Sequence, residues 1–219
     1  MNSPIFQLLA LAAVAIFLIL RLKSVLGTRD GYEEPPVVKP VERRAPKPEF
    51  EVIDGGPDRD IIDHVPEGSD AADALARMKR AEPSFNVGEF LGGARGAYEM
   101  ILMGFERGDL AEIKPFLDED VYATFAEVVE ARNAQGLTIE AEFIGVREMS
   151  LADATFDDAT QTAEVSVKFI GELTSAVRDN AGEIIEGSAT QIKRQKDVWT
   201  FARSMGASDP NWQLVATGE

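Results

Sequence analysis

The folded part of this chain is organised around residues 87–107, which read VGEFLGGARGAYEMILMGFER. Apolar side chains recur there at helical spacing, namely Phe90, Ala94, Ala97, Ile101 and Phe105, with Leu91, Tyr98 and Leu102 beside them. A stripe of this width predicts a helix from Val87 to Arg107 whose apolar side packs against another layer of the protein. This helix contains three glycines, Gly92, Gly93 and Gly96, and each lowers its stability by about 1 kcal/mol relative to alanine. We expect these glycines to allow the close approach of another backbone.

Further helices are predicted on both sides of this one. After it, Gly108 and Asp109 have the residue types of a helix C-cap and a helix N-cap, and a short helix is predicted at 110–117. A third helix is predicted from Asp118 to Gln135. Before Val87, the alanine-rich segment 68–82 predicts a short helix that lies either on the domain or on the membrane surface.

After Gly136 the apolar residues alternate, which is the pattern of half-buried β-strands. Strands are predicted at 138–148 and 163–174, then at 184–203 after the turn Asp179-Asn180-Ala181-Gly182, and finally at 212–217. Helices followed by strands indicate an α+β domain at residues 83–219, with three helices packed on a four-stranded antiparallel sheet.

Residues 1–26 have the composition of a transmembrane anchor. Residues 5–20 are apolar except for Gln7, and basic residues follow at positions 21, 23 and 29. A helix over this run spans ~24 Å, close to the lower limit for crossing the ~30 Å hydrocarbon core. Because no basic residue precedes the run and no small-residue cleavage motif follows it, an anchor is favoured over a cleaved signal peptide. The basic flank predicts a short N-terminus outside and the rest of the chain in the cytoplasm.

Residues 27–67 have the composition of a flexible linker. Seven of the eleven prolines of the chain fall in this stretch, among charges of both signs and few large apolar residues. Such a segment cannot bury enough apolar surface to offset the entropy of ordering it, so we expect a spacer of up to roughly 100 Å. A docking motif for a partner is the alternative interpretation of its prolines.

The formal net charge is −16, and the folded part carries most of it. Residues 84–219 hold eleven Lys and Arg against twenty-four Asp and Glu, a difference of −13. Phosphates repel so acidic a domain, which argues against nucleic acid as a partner. The charge favours solubility first and contact with a basic protein second.

Few residues of the chain are suited to catalysis or to metal binding. The chain has no cysteine, and its one histidine, His64, falls in the predicted linker. Tyr98 and Tyr122 lie on apolar helical faces and are therefore interpreted as core residues, and the sequence alone does not place any of the many acids of the domain opposite either of them. We therefore expect no catalytic residue, no metal site and no cofactor.

Several local patterns occur in the order found in a known family. They are Glu82-Pro83-Ser84-Phe85, the run from Phe90 to Tyr98, Gly108-Asp109-Leu110, Trp199-Thr200-Phe201-Ala202-Arg203 and Asp209-Pro210-Asn211-Trp212-Gln213-Leu214. Together with the predicted elements, this set resembles the Tim44-like domain family within the nuclear-transport-factor-two superfold. Anchor, linker and domain in this order are similar to the membrane-anchored alphaproteobacterial members of that family.

The resemblance implies a curved sheet and an adaptor at the cytoplasmic face of a bacterial inner membrane. By analogy with the mitochondrial member, it implies a protein partner of unknown identity in the translocation machinery, or a chaperone. The candidate pocket or signature residues are Tyr98, Phe169, Trp199, Phe201, Arg203 and Trp212. Ordinary core packing is the favoured interpretation of Trp199, Phe201 and Trp212, and Arg203 is expected to brace the turn Asp209-Pro210-Asn211.

Three functions stay open at this stage. The first is a membrane-tethered adaptor that binds another protein, and the second is a small-molecule or lipid binder with a concave apolar pocket. The third is an enzyme of the same superfold. A buried carboxylate that faces a tyrosine in a deep pocket would favour the enzyme, whereas an exposed apolar patch would favour the adaptor.

Overall fold

The computed structural model describes residues 58–218, in which the chain forms five α-helices and four β-strands. The helices are α1 (Arg59–Ile62), α2 (Asp70–Ala81), α3 (Val87–Arg107), α4 (Leu110–Ile113) and α5 (Glu119–Ala134), with a 3₁₀ turn at Lys114–Phe116. The strands are β1 (Thr138–Asp157), β2 (Thr162–Arg178), β3 (Ile184–Ser204) and β4 (Gln213–Gly218). The predicted anchor and residues 27–57 of the predicted linker lie outside the described residues. Within residues 58–218, no helix combines the length and the apolar character needed to cross a membrane.

Helix α3 has the bounds that the sequence predicts, and its two caps explain why. Asn86 accepts a hydrogen bond from the Glu89 amide at 2.8 Å and so caps the N-terminus. Gly108 ends the helix with a φ of 76°, a left-handed conformation that glycine adopts without steric cost. The apolar stripe between the caps is buried, with Tyr98 and Ile101 fully inaccessible to solvent.

The predicted helix at 110–117 is interrupted in the structure. Helix α4 ends at Ile113 and continues as the 3₁₀ turn, because Pro115 has no amide hydrogen to extend the α-helical ladder. Asp118 then caps α5 by accepting a hydrogen bond from the Asp120 amide at 2.9 Å. The Asp118 amide itself donates to the Leu214 carbonyl at 2.9 Å, which ties this end of α5 to β4.

The four strands form one antiparallel sheet in the order β1-β2-β3-β4, and the prediction of a four-stranded antiparallel sheet is confirmed. Strand β1 runs on to Asp157, well beyond its predicted end at 148. Its register shifts near Gly145, Glu148 and Asp153 break the alternation of apolar residues, which is why the pattern in the sequence stops early. Strand β4 pairs with β3 from Val198 to Ala202, so residues 184–197 form a sheet edge within the described part of the chain.

The core lies between one face of the sheet and helices α2 and α3. Strand β2 contributes Val165, Val167 and Phe169, all of them fully buried. Helix α2 contributes Leu75 and Met78, which are also fully buried in the same core. Helix α2 therefore packs on the folded domain, which settles the choice between domain and membrane surface that the sequence left open.

The last ten residues of the predicted linker are part of the fold. Helix α1 falls there, and Ile61 and Val65 are buried in the main core. Asp58 caps α1 by accepting a hydrogen bond from the Asp60 amide at 3.0 Å, and His64 follows the helix at the surface. The ordered chain begins earlier than predicted because these two apolar residues supply the buried area that the proline-rich stretch lacks.

Asp60 joins α1, α2 and the start of α3. Its carboxylate accepts hydrogen bonds from the amides of Val87 at 2.8 Å and Gly88 at 3.1 Å, and it pairs with Lys79 at 2.7 Å. Burial alone would raise the pKa of Asp60, but the Lys79 ammonium and the two amides hold that pKa below its usual value. Because the pKa is lower in the folded state, Asp60 stabilises the fold at neutral pH, and this contribution is lost as the pH falls through the folded-state pKa.

We expect Asp60→Asn to lower the free energy of unfolding by about 1–2 kcal/mol at pH 7, because the charged acceptor at the start of α3 is lost. Urea unfolding of the full chain in detergent, followed by circular dichroism, measures the difference. The difference should shrink as the pH falls from about 4 through the lowered folded-state pKa of Asp60, because the wild-type carboxylate then becomes protonated as well. Asp63→Asn, which changes an exposed carboxylate nearby, is the matched control, and an equal loss in both variants would contradict this role.

Candidate functional site

The predicted pocket residues divide into two groups. Tyr98, Phe169, Trp199 and Phe201 lie in the core, and none of the four is more than 4% exposed. The ring of Tyr98 stacks on that of Phe169 with centroids 4.4 Å apart, and it contacts the ring of Trp199 at 4.7 Å. Arg203 lies elsewhere, with Trp212, which is half-buried. The use of these residues as a ligand pocket stays a prediction.

The Tyr98 hydroxyl donates a hydrogen bond of 2.5 Å to a buried carboxylate, that of Asp197 on β3. Asp197 is 8% exposed and also accepts a hydrogen bond from Gln195 Nε2 at 3.2 Å. Burial is the main cause that raises the pKa of Tyr98 above its usual value, and the adjacent carboxylate of Asp197 raises it further. The tyrosine therefore stays protonated and acts as the donor in this hydrogen bond.

Tyr98 and Asp197 have the residue types of an acid–base site but not its arrangement. Ketosteroid-isomerase-like chemistry places the substrate between an aspartate base and a tyrosine donor. In this structure the hydroxyl and the carboxylate bond to each other, and the rings of Phe143, Phe169 and Trp199 surround Tyr98. The pair leaves no room for a substrate between its members, and it fastens α3 to β3.

Gly171 on β2 makes room for the Tyr98 hydroxyl. A Cβ added at Gly171 would lie 2.6 Å from Tyr98 Oη and 3.0 Å from Tyr98 Cε1. Contacts this short force the ring to move, and the position of the ring sets the hydrogen bond to Asp197.

We expect Gly171→Ala to lower the free energy of unfolding by about 1–3 kcal/mol, because the added methyl group displaces the Tyr98 ring from Asp197. Urea unfolding of the full chain measures the loss. Gly145→Ala is the matched control on the neighbouring strand, since a Cβ at Gly145 meets no atom within 4 Å. Tyr98→Phe removes the hydroxyl that clashes, so the double variant should lose less stability than the sum of the two single ones. Strictly additive losses would contradict this explanation.

Arg203 braces the turn before β4, as the sequence predicts. Its Nη1 donates to the Pro210 carbonyl at 3.1 Å, and its guanidinium lies 5.3 Å from the centre of the Trp212 ring. Arg203 also pairs with Glu82 at 2.5 Å, and Glu82 accepts a hydrogen bond from the Gly206 amide at 2.9 Å. Through these contacts the loop between α2 and α3 is tied to the connection between β3 and β4.

The hydrogen bond from the Gly206 amide lowers the pKa of Glu82 the most, and the Arg203 guanidinium lowers it further. Together they hold this pKa below its usual value, although burial acts to raise it. A carboxyl group with a lowered folded-state pKa stabilises the fold above its unfolded pKa, and it ceases to do so as the pH falls through the folded-state pKa. We expect Glu82→Gln to lose about 1–2 kcal/mol of stability at pH 7 and progressively less below pH of about 4. Urea unfolding at a series of pH values tests this, and a loss independent of pH would exclude an ionic role for Glu82.

Helix α5 presents aromatic and aliphatic side chains that the domain covers incompletely. Val121 and Val129 are buried, whereas Tyr122 and Phe125 are half-buried and Val128 is 37% exposed. On α3, the half-buried Phe105 contacts the Phe125 ring at 4.5 Å. We call the set Phe105, Tyr122, Phe125 and Val128 the α5 face.

Carboxylates surround the α5 face in sequence. Residues 106–130 contain eight acidic and two basic side chains. The acidic ones are Glu106, Asp109, Glu112, Asp118, Glu119, Asp120, Glu127 and Glu130, and the basic ones are Arg107 and Lys114. Lys114 lies 4.7 Å from the centre of the Tyr122 ring. Most of the charge of this region is therefore negative and solvated.

A second surface feature has the opposite charge. An open depression of about 480 Å³ lies where α3 meets β1 and β2, and its lining includes three basic residues. The lining residues are Arg95, Arg147, Glu148, Met149, Ser150, Lys168 and Ile170. Arg147 pairs with Glu172 at 3.3 Å, while Arg95 and Lys168 make no ion pair with any residue between 58 and 218.

Among residues 58–218, no three His, Cys, Asp or Glu side chains are grouped to hold a metal ion.

The exposed glycines of α3 do not serve close packing in the described part of the chain. A Cβ added at Gly92, Gly93 or Gly96 would meet no atom within 4 Å. The prediction that another backbone approaches there is therefore wrong for residues 58–218. All three lie on the solvent side of α3, opposite the buried stripe. Gly104 is the glycine of α3 that does pack closely, since a Cβ there would lie 2.6 Å from Ile113 Cγ2.

Sequence reasoning missed Asp197 and the basic depression. Asp197 carried a recognisable signal, because it precedes Trp199 and Phe201 at two-residue spacing and so shares their inward face. Arg95 and Lys168 carried none, since they come from a helix and a strand that only the fold brings together.

Known proteins resemble this chain over its folded part. Residues 71–219 match the family model described as Tim44-like domain. The human protein named mitochondrial import inner membrane translocase subunit TIM44 is 22% identical over 159 residues, which cover 71% of this chain. The mouse protein of the same name is 20% identical over the same length.

This chain spans 35% of the length of the human and mouse relatives. Among solved structures, the intermembrane space region of the chloroplast protein ARC6 aligns with a TM-score of 0.35 and 11% identity. That alignment covers 50% of this chain and 75% of the ARC6 chain.

Proposed function

This chain belongs to the Tim44-like domain family, and from that premise we propose that it is a membrane-anchored adaptor whose folded domain binds a protein partner. The human and mouse relatives are subunits of the mitochondrial import inner membrane translocase, which supports protein translocation as the process served. Residues 1–26 form the anchor, and their basic flank supports a domain at the cytoplasmic face of a bacterial inner membrane.

The α5 face is the observation that carries this proposal. An adaptor needs an apolar surface that its own fold leaves accessible, and Phe125 and Val128 provide one on consecutive turns of α5. Aromatic residues that are half-covered in the free protein are suited to becoming anchors of an interface, because much of their area is still in water.

The charge of this region supports a basic partner. Eight carboxylates in residues 106–130 attract a cationic surface, and they raise the rate of encounter more than they raise the final affinity. We therefore propose a partner segment with both apolar and cationic side chains.

The alternatives have less support. A small-molecule or lipid binder with a concave pocket needs free space beside the predicted aromatic residues, and four of these are buried against one another and their neighbours. An enzyme of the same superfold needs its acid–base pair to face a substrate, and Tyr98 and Asp197 face each other.

Crosslinking of the full-length chain in its native membrane, followed by affinity purification and mass spectrometry, tests the proposal. A chain that begins at residue 58 is the control for the anchor. It retains α1 and α2, whereas a start at Ser84 would remove the buried residues of both helices. A defined set of membrane proteins that is depleted when residues 1–57 are absent supports a tethered adaptor. The same set recovered with the shortened chain would exclude the tether.

We expect Val128→Lys to lower recovery of the crosslinked partner at least threefold, because it places a cation on a surface proposed to meet cations. Ile192→Lys is the matched control, since Ile192 is 53% exposed on β3 and lies outside the α5 face. Equal recovery with both variants would show that the α5 face does not bind the partner. The adaptor function would then have to use another surface of the domain.

A further inference from the structure

The basic depression stands out because the domain around it is so acidic. Residues 84–219 hold twenty-four carboxylates and eleven cations, and three of those cations line this one depression. Arg147 is engaged with Glu172 and with Glu148, at 3.3 Å and 3.8 Å. Arg95 and Lys168 form no ion pair with any residue between 58 and 218, although Glu148 lines the same depression and Glu99 lies one helical turn from Arg95.

The position of the depression leaves these two cations accessible. Lys168 and Ile170 alternate along β2 with the buried Val167 and Phe169, so they project from the face of the sheet that points away from the core. Arg95 reaches the depression from the exposed side of α3.

The approach along α3 is unobstructed. Gly92 precedes Arg95 by one helical turn and is its neighbour on the helix surface, and a side chain added at Gly92 would meet open space. A segment of chain can therefore lie along this side of α3 and reach the guanidinium of Arg95.

We infer that this depression binds an acidic polypeptide segment of a protein partner, with side-chain carboxylates on Arg95 and Lys168. A guanidinium binds a carboxylate through two parallel hydrogen bonds, and an ammonium adds a compact point charge. Ser150 offers a hydroxyl in the same depression, and the apolar parts of Met149 and Ile170 contact the aliphatic part of the incoming side chains. The site is separate from the α5 face and has the opposite charge, so it gives the adaptor a second partner class.

A defined probe tests this inference without knowledge of the partner. The probe is fluorescein-labelled decaglutamate, and its binding to the full chain in phosphatidylcholine nanodiscs is followed by fluorescence anisotropy. Because the chain carries a net charge of −16, general attraction does not draw a polyanion to it, and binding reports a local cationic site, which is either the depression or the basic stretch at residues 21–47. We expect Arg95→Glu and Lys168→Glu each to weaken binding at least tenfold. Binding that these two variants leave unchanged would assign the probe to residues 21–47 and overturn the inference.

Lys193→Glu is the matched control, because it makes the same change of charge at an exposed position of β3 outside the depression. It should alter binding less than twofold, and thermal unfolding verifies that all three variants are folded. Absence of probe binding, or an equal loss in Lys193→Glu, would overturn the inference. Two further outcomes would assign the depression to phosphate groups and overturn the inference as well. One is displacement of the probe by an equal concentration of inorganic phosphate, and the other is loss of probe binding when the nanodiscs contain phosphatidylglycerol, whose head groups would occupy the depression.

Discussion

The hydrogen bond between Tyr98 and Asp197 fixes how α3 lies on the sheet. It joins residues 99 positions apart in the chain, and it lies where burial makes an unpaired partner costly. Stacking on Phe169 sets the plane of the tyrosine ring, and the missing side chain of Gly171 leaves space for its hydroxyl. Helix α3 carries Phe105 of the α5 face and Arg95 of the basic depression, so the way in which α3 docks on the sheet bears on the position of both surfaces.

The two surfaces have opposite charge and lie on different elements. The α5 face combines apolar side chains with surrounding carboxylates, whereas the depression presents Arg95 and Lys168, which form no ion pair within residues 58–218. An adaptor that brings two partners together benefits from such a difference, because each partner is repelled by the surface intended for the other. Membrane anchoring by residues 1–26 would then hold both contacts within reach of the bilayer.

The sequence was most informative where local physics determines structure. Helix α3 has the predicted bounds because Gly108 and a wide apolar stripe mark it without help from distant residues. The end of β1 was misplaced because bulges break its alternation, and α1 was missed because two apolar residues follow a proline-rich stretch. In the candidate site, the brace formed by Arg203 was predictable from a turn close in sequence. The partner of Tyr98 and the lining of the depression were not predicted, since both depend on how strands pair and on where α3 docks.

The order of elements along the chain has a consequence for biosynthesis. Helices α1 to α3 precede every strand, and the partner of Tyr98 is on β3. At the usual speed of translation, roughly 5–20 residues per second, the ribosome adds Asp197 on the order of 5–20 s after Tyr98. During that interval the apolar stripe of α3 has no sheet to cover it, so the nascent chain passes through a stage in which it is prone to aggregation and is a natural substrate for holding chaperones.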